Sequence, residues 1–318
     1  MSDTLANYSF LPWLRQGLSN NIIKADNDAS VLLRASIKIT LELDAVKTDG
    51  KTTDNRILPD KEVQLYGPGD IIGIDSKAIV KTEPLNWITN FEPNYLPYID
   101  FYEEDFPWRY TPAKPTGDRL RPWLTLVVLK EDEFEDGQNV KDKPLPFFKI
   151  REGKSTANIF PKPIDLWAWA HVHINTDISN GAAPNTADAD AINTGITNLI
   201  DTEPDHAYSR IICPRKLEGN IGYHAFLIPT FESGRLAGLG WDIPETLVAT
   251  KCAWDAASNI EFPYYHRWYF RTGDVGDFEY LVNLLQPKPA DKSVGVRDID
   301  VVHPGAKLQY IIKPCIIY

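Results

Sequence analysis

Apolar residues occupy every second position from Val31 to Leu43, and the positions between them are polar from Arg34 onwards. Because successive side chains of a strand point to opposite faces, this alternation predicts a long strand with one apolar and one solvated face. The polar, turn-rich residues 47–55 then predict a hairpin, since Val63 and Leu65 keep the period of two on the return. A half-solvated strand of this kind favours an antiparallel sheet over a parallel doubly wound one.

Four further segments indicate how the rest of the chain folds. Residues 124–129 are almost continuously apolar, which predicts a strand buried on both faces, and residues 166–174 alternate as another strand. Residues 82–115 contain six prolines among many aromatic residues, which predicts an irregular segment held by ring packing. Gly234, Gly238 and Gly240 predict a loop.

Together these patterns predict an α+β protein that is predominantly β. We expect antiparallel sheets in a sandwich or barrel-like arrangement, with few short helices and long loops rich in proline and aromatic residues. We place a docking segment at 1–24, a first β subdomain at 25–136 and a second β-rich subdomain at 137–318. One continuous domain over the last two is the alternative.

An apolar stripe near the N-terminus predicts a short amphipathic helix. Leu11, Leu14, Leu18 and Ile22 recur at helical spacing beside Trp13. Such a helix either packs on its own domain or docks on another subunit. We take Trp13, Leu14 and Leu18 as candidate partner-binding residues.

Composition and charge narrow the classes of partner. The chain has 318 residues, with 33 Lys and Arg against 44 Asp and Glu, and a net charge of −11. This acidity excludes a general attraction to nucleic acid or anionic lipid and favours protein partners with basic faces. No membrane-length apolar stretch or secretory signal occurs, and the three widely spaced cysteines form no CxxC motif. We therefore expect a cytoplasmic location without membrane insertion, and neither a disulfide framework nor a cysteine zinc site.

His171 and His173 are the weak candidates for a metal site. Their HxH spacing places both imidazoles on one strand face, as in cupin-like metal sites. The downstream Glu of the cupin pattern is missing, and Trp167 and Trp169 share the predicted face, which favours aromatic packing. No GxSxG motif occurs either. We predict no cofactor and no enzymatic activity, with a cupin-like metalloenzyme as an alternative.

Aromatic residues of the proline-rich segment predict a contact surface. The candidate residues are Tyr95, Tyr98, Phe101, Trp108 and Arg109. Trp, Tyr and Arg contribute most of the binding energy in many protein interfaces. Rings beside the carboxylates at 103–105 are also typical of sugar recognition, so a carbohydrate-binding module is a second alternative.

Long strings over most of the chain carry a resemblance. They include FLPWLRQGL at 10–18, LYGPGDIIGID at 65–75, NFEPNYLPYIDFYEEDFPWRYTPA at 90–113, RLRPWLTLVVL at 119–129, LWAWAHVHI at 166–174, YHAFLIPTFESGRLAGLG at 223–240 and FPYYHRWYFRTGDVGDFEYLVNLL at 262–285. In these strings the chain resembles a group of bacterial proteins associated with gene clusters of phage-tail-like contractile injection systems.

The resemblance implies a non-catalytic structural subunit of such a particle. The positions it leaves open are an end adaptor or cap-associated protein, a baseplate component and a lumen plug. It also implies partners among sheath, tube, cap or baseplate subunits, and a homo-oligomer within the assembly. The particle would assemble in the cytoplasm and could then be released from the cell.

Overall fold

A computed structural model describes residues 34–46, 53–57, 59–116, 119–137, 141, 143–175, 189–256, 260–274, 282 and 285. These residues form fourteen strands and three α-helices. The strands are β1 (Ser36–Ile39), β2 (Glu42–Val46), β3 (Thr53–Ile57), β4 (Lys61–Gln64), β5 (Ile79–Glu83), β6 (Tyr98–Phe101), β7 (Leu124–Lys130), β8 (Phe134–Asp136), β9 (Phe147–Ile150), β10 (Ala170–Ile174), β11 (Ala207–Ile212), β12 (Gly222–Pro229), β13 (Glu261–Pro263) and β14 (His266–Arg271). The helices are α1 (Thr156–Ile159), α2 (Ala189–Thr202) and α3 (Glu232–Leu239).

The sheets confirm the predicted fold class. One sheet has the order β10-β11-β6-β5, two have three strands in the orders β14-β12-β7 and β13-β9-β8, and β1-β4 and β2-β3 are two-stranded. The paired strands are antiparallel, and no closed barrel forms among the residues described. Strands from both sides of residue 137 share sheets, because β6 pairs with β11 and β7 with β12.

The β14-β12-β7 sheet has one hydrophobic cluster on each face. In β7, Leu126 and Val128 belong to the larger cluster, whereas Val127 and Leu129 belong to the smaller one. This strand has no solvated face, as its continuous apolar sequence predicts, and residues 124–129 are buried. The larger cluster also contains the inner face of the four-stranded sheet.

The glycine-rich residues form a helix, so the predicted loop is wrong. Helix α3 is followed by Gly240, whose φ of 68° gives the left-handed conformation that favours glycine after a helix. Gly234 and Gly238 permit close contact with proline rings. A Cβ at Gly234 would lie 2.7 Å from Cβ of Pro229, and one at Gly238 would lie 2.7 Å from Cγ of Pro263. These glycines are therefore explained by packing rather than by chain reversal.

Two strand predictions are corrected in extent. Residues 163–169 form a 3-10 helix, and only Ala170–Ile174 of the predicted strand at 166–174 is extended. Pro163 begins that helix, since its fixed φ suits a first helical turn. The predicted strand at 31–43 is divided at Thr40 and Leu41 into β1 and β2, and residues 31–33 lie outside the described part.

The chain divides into two compact units, Met1–Val275 and Gly276–Tyr318. The predicted docking segment at 1–24 lies outside the described residues. Within the described part of the chain, no helix combines the length and apolar character that crossing a bilayer requires.

Candidate contact surface

Two predicted contact residues lie in the core. Phe101 is 0% exposed and Trp108 is 1% exposed, so neither belongs to a surface of this chain. Phe101 stacks on Phe106 with ring centroids 4.7 Å apart, because alternation along β6 turns it towards the larger cluster. Trp108 donates from Nε1 to the Leu120 carbonyl at 3.2 Å. These two residues stabilise the fold.

Tyr98 lies on the opposite, polar face of β6. The guanidinium carbon of Arg210 is 3.6 Å from the centroid of the Tyr98 ring. Arg210 also donates from Nε and Nη2 to the two carboxylate oxygens of Asp100, at 2.6 and 2.9 Å. The Tyr98 ring is thus engaged within the molecule by a cation on its face.

The two histidines lie on the same polar face as Tyr98. The strand register places His171 beside Arg210, Arg210 beside Asp100, and Asp100 beside Lys81, in a row across the four strands. Burial first, and then the charges of Arg210, His171 and Lys81, together lower the pKa of His173 to about 3. Imidazoles kept neutral in this way retain a lone pair that could bind a metal.

The surroundings of these histidines do not favour a divalent cation. The centroids of the His171 and His173 rings are 6.2 Å apart, and the cationic Arg210 lies next to His171 in the adjacent strand. Among the described residues, no group of three or more His, Cys, Asp or Glu side chains could hold a metal ion. A structural zinc site requires four ligands, and a catalytic one usually three from the protein.

Tyr95 belongs to an exposed apolar loop, which we call loop 85–96 after its residues. Tyr95 is 66% exposed and its ring meets the buried Phe91 ring edge-on, at a centroid distance of 6.4 Å. Trp87 is 70% exposed, and its ring lies 4.8 Å from that of Tyr269 in β14. Leu85 is 58% exposed in the same loop. Large apolar side chains this close together in sequence and this exposed are typical of interaction sites.

Backbone hydrogen bonds hold loop 85–96 against the edge of β14. The Trp87 amide donates to the Tyr269 carbonyl at 2.7 Å, and the Arg271 amide donates to the Ile88 carbonyl at 2.7 Å. The Phe91 amide donates to the Arg271 carbonyl at 3.1 Å. The loop therefore occupies the free edge of its sheet and presents its side chains from a fixed backbone.

Trp87 adopts a backbone conformation that is unusual for its residue type. Its φ is 66°, in the left-handed region, which costs a residue with a Cβ about 1–2 kcal/mol. The Ile88 amide donates to the Leu85 carbonyl at 3.2 Å, so Trp87 is the third residue of a turn. Pro84 and Asn86 were the available turn signals in the sequence, but Trp gives no indication of a positive φ.

Arg109 borders a cleft of about 520 Å³. The cleft is lined by Ile71, Ile74, Tyr102, Phe106, Arg109 and Tyr110, among others. Arg109 forms ion pairs with Asp105 at 2.6 Å and with Glu103, and its side chain is 33% exposed. Burial lowers the pKa of Arg109, but the hydrogen bonds and charges of Asp105 and Glu103 outweigh burial and raise that pKa above its usual value. The cleft thus combines an apolar floor with a fixed charged rim.

The predicted contact residues are therefore dispersed over several places. Tyr95 lies on loop 85–96, Arg109 at the cleft and Tyr98 on the polar sheet face. Trp13, Leu14 and Leu18 lie outside the described residues.

Comparison with protein-family models, with curated proteins and with solved structures found no match to this chain.

Proposed function

We propose that the protein is a non-catalytic structural subunit that binds other subunits of a contractile injection particle, as an end adaptor or cap-associated protein. The observation that carries the contact role is loop 85–96, which exposes large apolar side chains from a backbone bonded to β14. The kind of particle is supported by the sequence resemblance given above.

The side chains of the loop suit a binding role. Trp and Tyr are enriched among the residues that dominate interface energies, and Trp87 and Tyr95 are 70% and 66% exposed. Because the loop is already held by backbone hydrogen bonds, a partner would lose little free energy in ordering it. A preformed apolar surface of this kind favours a lasting contact over a brief one.

Charge directs the choice of partner. The chain has a net charge of −11, so association with a basic face is favoured by long-range attraction. Glu103, 53% exposed at its side chain, lies on the rim of the cleft next to Arg109. A partner segment with apolar side chains and at least one basic residue would complement both the floor and this rim.

The test is native fractionation of source cells that express either the wild-type protein or a variant of loop 85–96. Wild-type protein should co-sediment with sheath and tube proteins in a particle of megadalton size. The double variant Trp87→Ala, Tyr95→Ala should instead migrate outside the particle, as free protein built from the 36.0 kDa chain. The matched control is Ile164→Ala, because Ile164 is equally exposed at 73% but lies outside the loop. Unchanged near-UV circular dichroism shows that the variants are folded.

Two results would contradict the proposal. A wild-type chain that migrates without companions, outside any particle, is not a particle subunit, and retention of that free protein on polysaccharide would support the carbohydrate-binding alternative. A folded double variant that co-sediments as well as the control would exclude loop 85–96 as the contact.

A further inference from the structure

The four strands β1 to β4 form two small two-stranded sheets, which we call the ribbon. β1 pairs with β4 and β2 with β3, and no third strand joins either pair among the described residues. The ribbon is anchored at its base, where Arg34 donates to both carboxylate oxygens of Asp70 and the Leu65 amide donates to the Ala35 carbonyl at 2.9 Å. We propose that residues 38–42 of this ribbon pair, antiparallel, with the same residues of a second copy of the chain.

Several apolar side chains of β1, β4 and the residues that follow β1 are exposed. Ile39 is 44% exposed, Leu41 is 51% exposed and Val63 is 41% exposed. Isolated two-stranded sheets are marginally stable in water, and their outer edges carry unpaired backbone groups. An added strand would satisfy those groups and cover part of this apolar surface.

The hydrogen-bond pattern determines which backbone groups face outward. The bond from the Leu65 amide to the Ala35 carbonyl makes Ala35 and Leu65 a hydrogen-bonded pair of the antiparallel ladder. Alternation then directs the backbone groups of Ile37 and Ile39 towards β4. The backbone groups of Lys38 are directed to the outer edge. Thr40 and Leu41 separate β1 from β2, and in the proposed pair they become extended, so that the same alternation brings Thr40 and Glu42 to this edge. A strand that pairs with this edge must therefore meet Lys38 and Thr40 with hydrogen-bonding residues of its own.

The sequence at this edge, KITLE, is complementary to itself when antiparallel. A two-fold axis at Thr40 places each Lys38 opposite Glu42 of the second copy. It also places each Ile39 opposite Leu41 of the second copy. Opposite charges and apolar pairs at directly facing positions stabilise antiparallel strands. All five residues are exposed, including the apolar Ile39 and Leu41.

This complementarity selects a second copy rather than an unrelated strand. Charged residues on a sheet edge normally oppose pairing. Here Lys38 and Glu42 disfavour pairing with an unrelated edge strand. Across the two-fold axis, however, Lys38 of one copy attracts Glu42 of the other. Lys38 forms an ion pair with Asp60, and Thr40 donates to the same carboxylate at 2.5 Å, so the polar face is already ordered. The paired surface is isologous, as in most homodimers.

Charge exchange tests the pairing with the purified full-length chain, independently of any particle protein. Sedimentation equilibrium should show a dimer for the wild type. Glu42→Lys should weaken it by roughly tenfold, because two Lys–Lys contacts replace two opposite-charge pairs. An equimolar mixture of Glu42→Lys with Lys38→Glu should restore the dimer, because every facing pair is then of opposite charge. A wild-type monomer, or a dimer that both variants leave unchanged, would overturn the proposal.

Disulfide trapping tests the register. Residues of a hydrogen-bonded antiparallel pair have Cα atoms about 5.5 Å apart, a distance that a disulfide spans. In a Cys315→Ser background, Thr40→Cys should cross-link to itself on mild oxidation, whereas Lys38→Cys should cross-link only when mixed with Glu42→Cys. The native Cys213 and Cys252 are buried and do not compete. Equal cross-linking of Lys38→Cys with itself would exclude a two-fold axis at Thr40.

Discussion

The guanidinium of Arg210 lies over the ring of Tyr98, with its central carbon 3.6 Å from the ring centroid. The same guanidinium donates two hydrogen bonds to Asp100, which is 1% exposed. A carboxylate with so little access to water depends on its hydrogen-bonded cation. Tyr98, predicted from the sequence as a contact residue, therefore packs on the guanidinium of an ion pair within the four-stranded sheet.

Removing Arg210 should destabilise the protein strongly. In Arg210→Met the Asp100 carboxylate stays buried without its guanidinium, and the free energy of unfolding should fall by about 3–5 kcal/mol. Urea unfolding at pH 7 measures this change. Adding Asp100→Asn to the same variant should restore part of the loss, because the residual group is then neutral. A loss below about 1 kcal/mol would mean that water solvates Asp100.

Gly238→Ala should also destabilise, although alanine normally favours helices. The added Cβ would lie 2.7 Å from Cγ of Pro263 and 3.0 Å from Leu145. Overpacking of this kind costs about 1–3 kcal/mol. Gly73→Ala is the matched control, since a Cβ there meets nothing within 4 Å. Thermal unfolding of both variants compares them, and equal melting temperatures would contradict the close packing of α3.

These contacts show what the sequence could and could not predict. The burial of β7 was predictable, because a strand that is apolar at consecutive positions needs cover on both faces. Helix α3 was not, since the reason for Gly238 is Pro263, which lies far along the chain. Closely spaced glycines occur both in loops and in helices that pack closely against another segment, and only the tertiary contact distinguishes the two cases.

The position of the candidate contact surface was predictable from the sequence only in part. Proline and aromatic composition indicated a contact region in residues 82–115, and Tyr95 is indeed exposed there. Composition does not say which rings turn inward. Phe101 is buried because of its strand phase, and Trp87 is exposed because its turn reverses the chain beside β14. Both depend on pairing partners that are remote in sequence.

Glycine should be better tolerated than alanine at residue 87. The φ of 66° at Trp87 is strained for any residue with a Cβ but not for glycine. Trp87→Gly and Trp87→Ala both lose the ring contact with Tyr269, so their difference reports the backbone alone. Trp87→Gly should be more stable by about 1 kcal/mol in urea unfolding. The corresponding pair of variants at Tyr95 serves as the control and should show alanine as the more stable. The reverse order at residue 87 would contradict the positive φ.

Stability should fall as the pH is lowered from 7 to 5, and His224 should contribute to this loss. Burial first, and then the charge of Arg267, together lower the pKa of His224 to about 4. Arg267 donates from Nε to Nδ1 of His224 at 3.2 Å, and a nitrogen that accepts this bond cannot carry a proton. In the unfolded chain the imidazole has its ordinary pKa near 6.5. The folded state therefore keeps it neutral where the unfolded state protonates it.

The sign of this effect follows from proton binding. Above pH 6.5 neither state binds the proton, so the stabilisation is complete; between about pH 6.5 and 4 only the unfolded state binds it, and stability declines. For one histidine the free energy of unfolding should drop by roughly 1–2 kcal/mol between pH 7 and pH 5. His224→Gln should remove this share of the drop, because glutamine does not titrate but can still accept from Arg267. Urea unfolding at both pH values measures the difference, and an unchanged pH dependence in the variant would mean that the imidazole is protonated equally in both states.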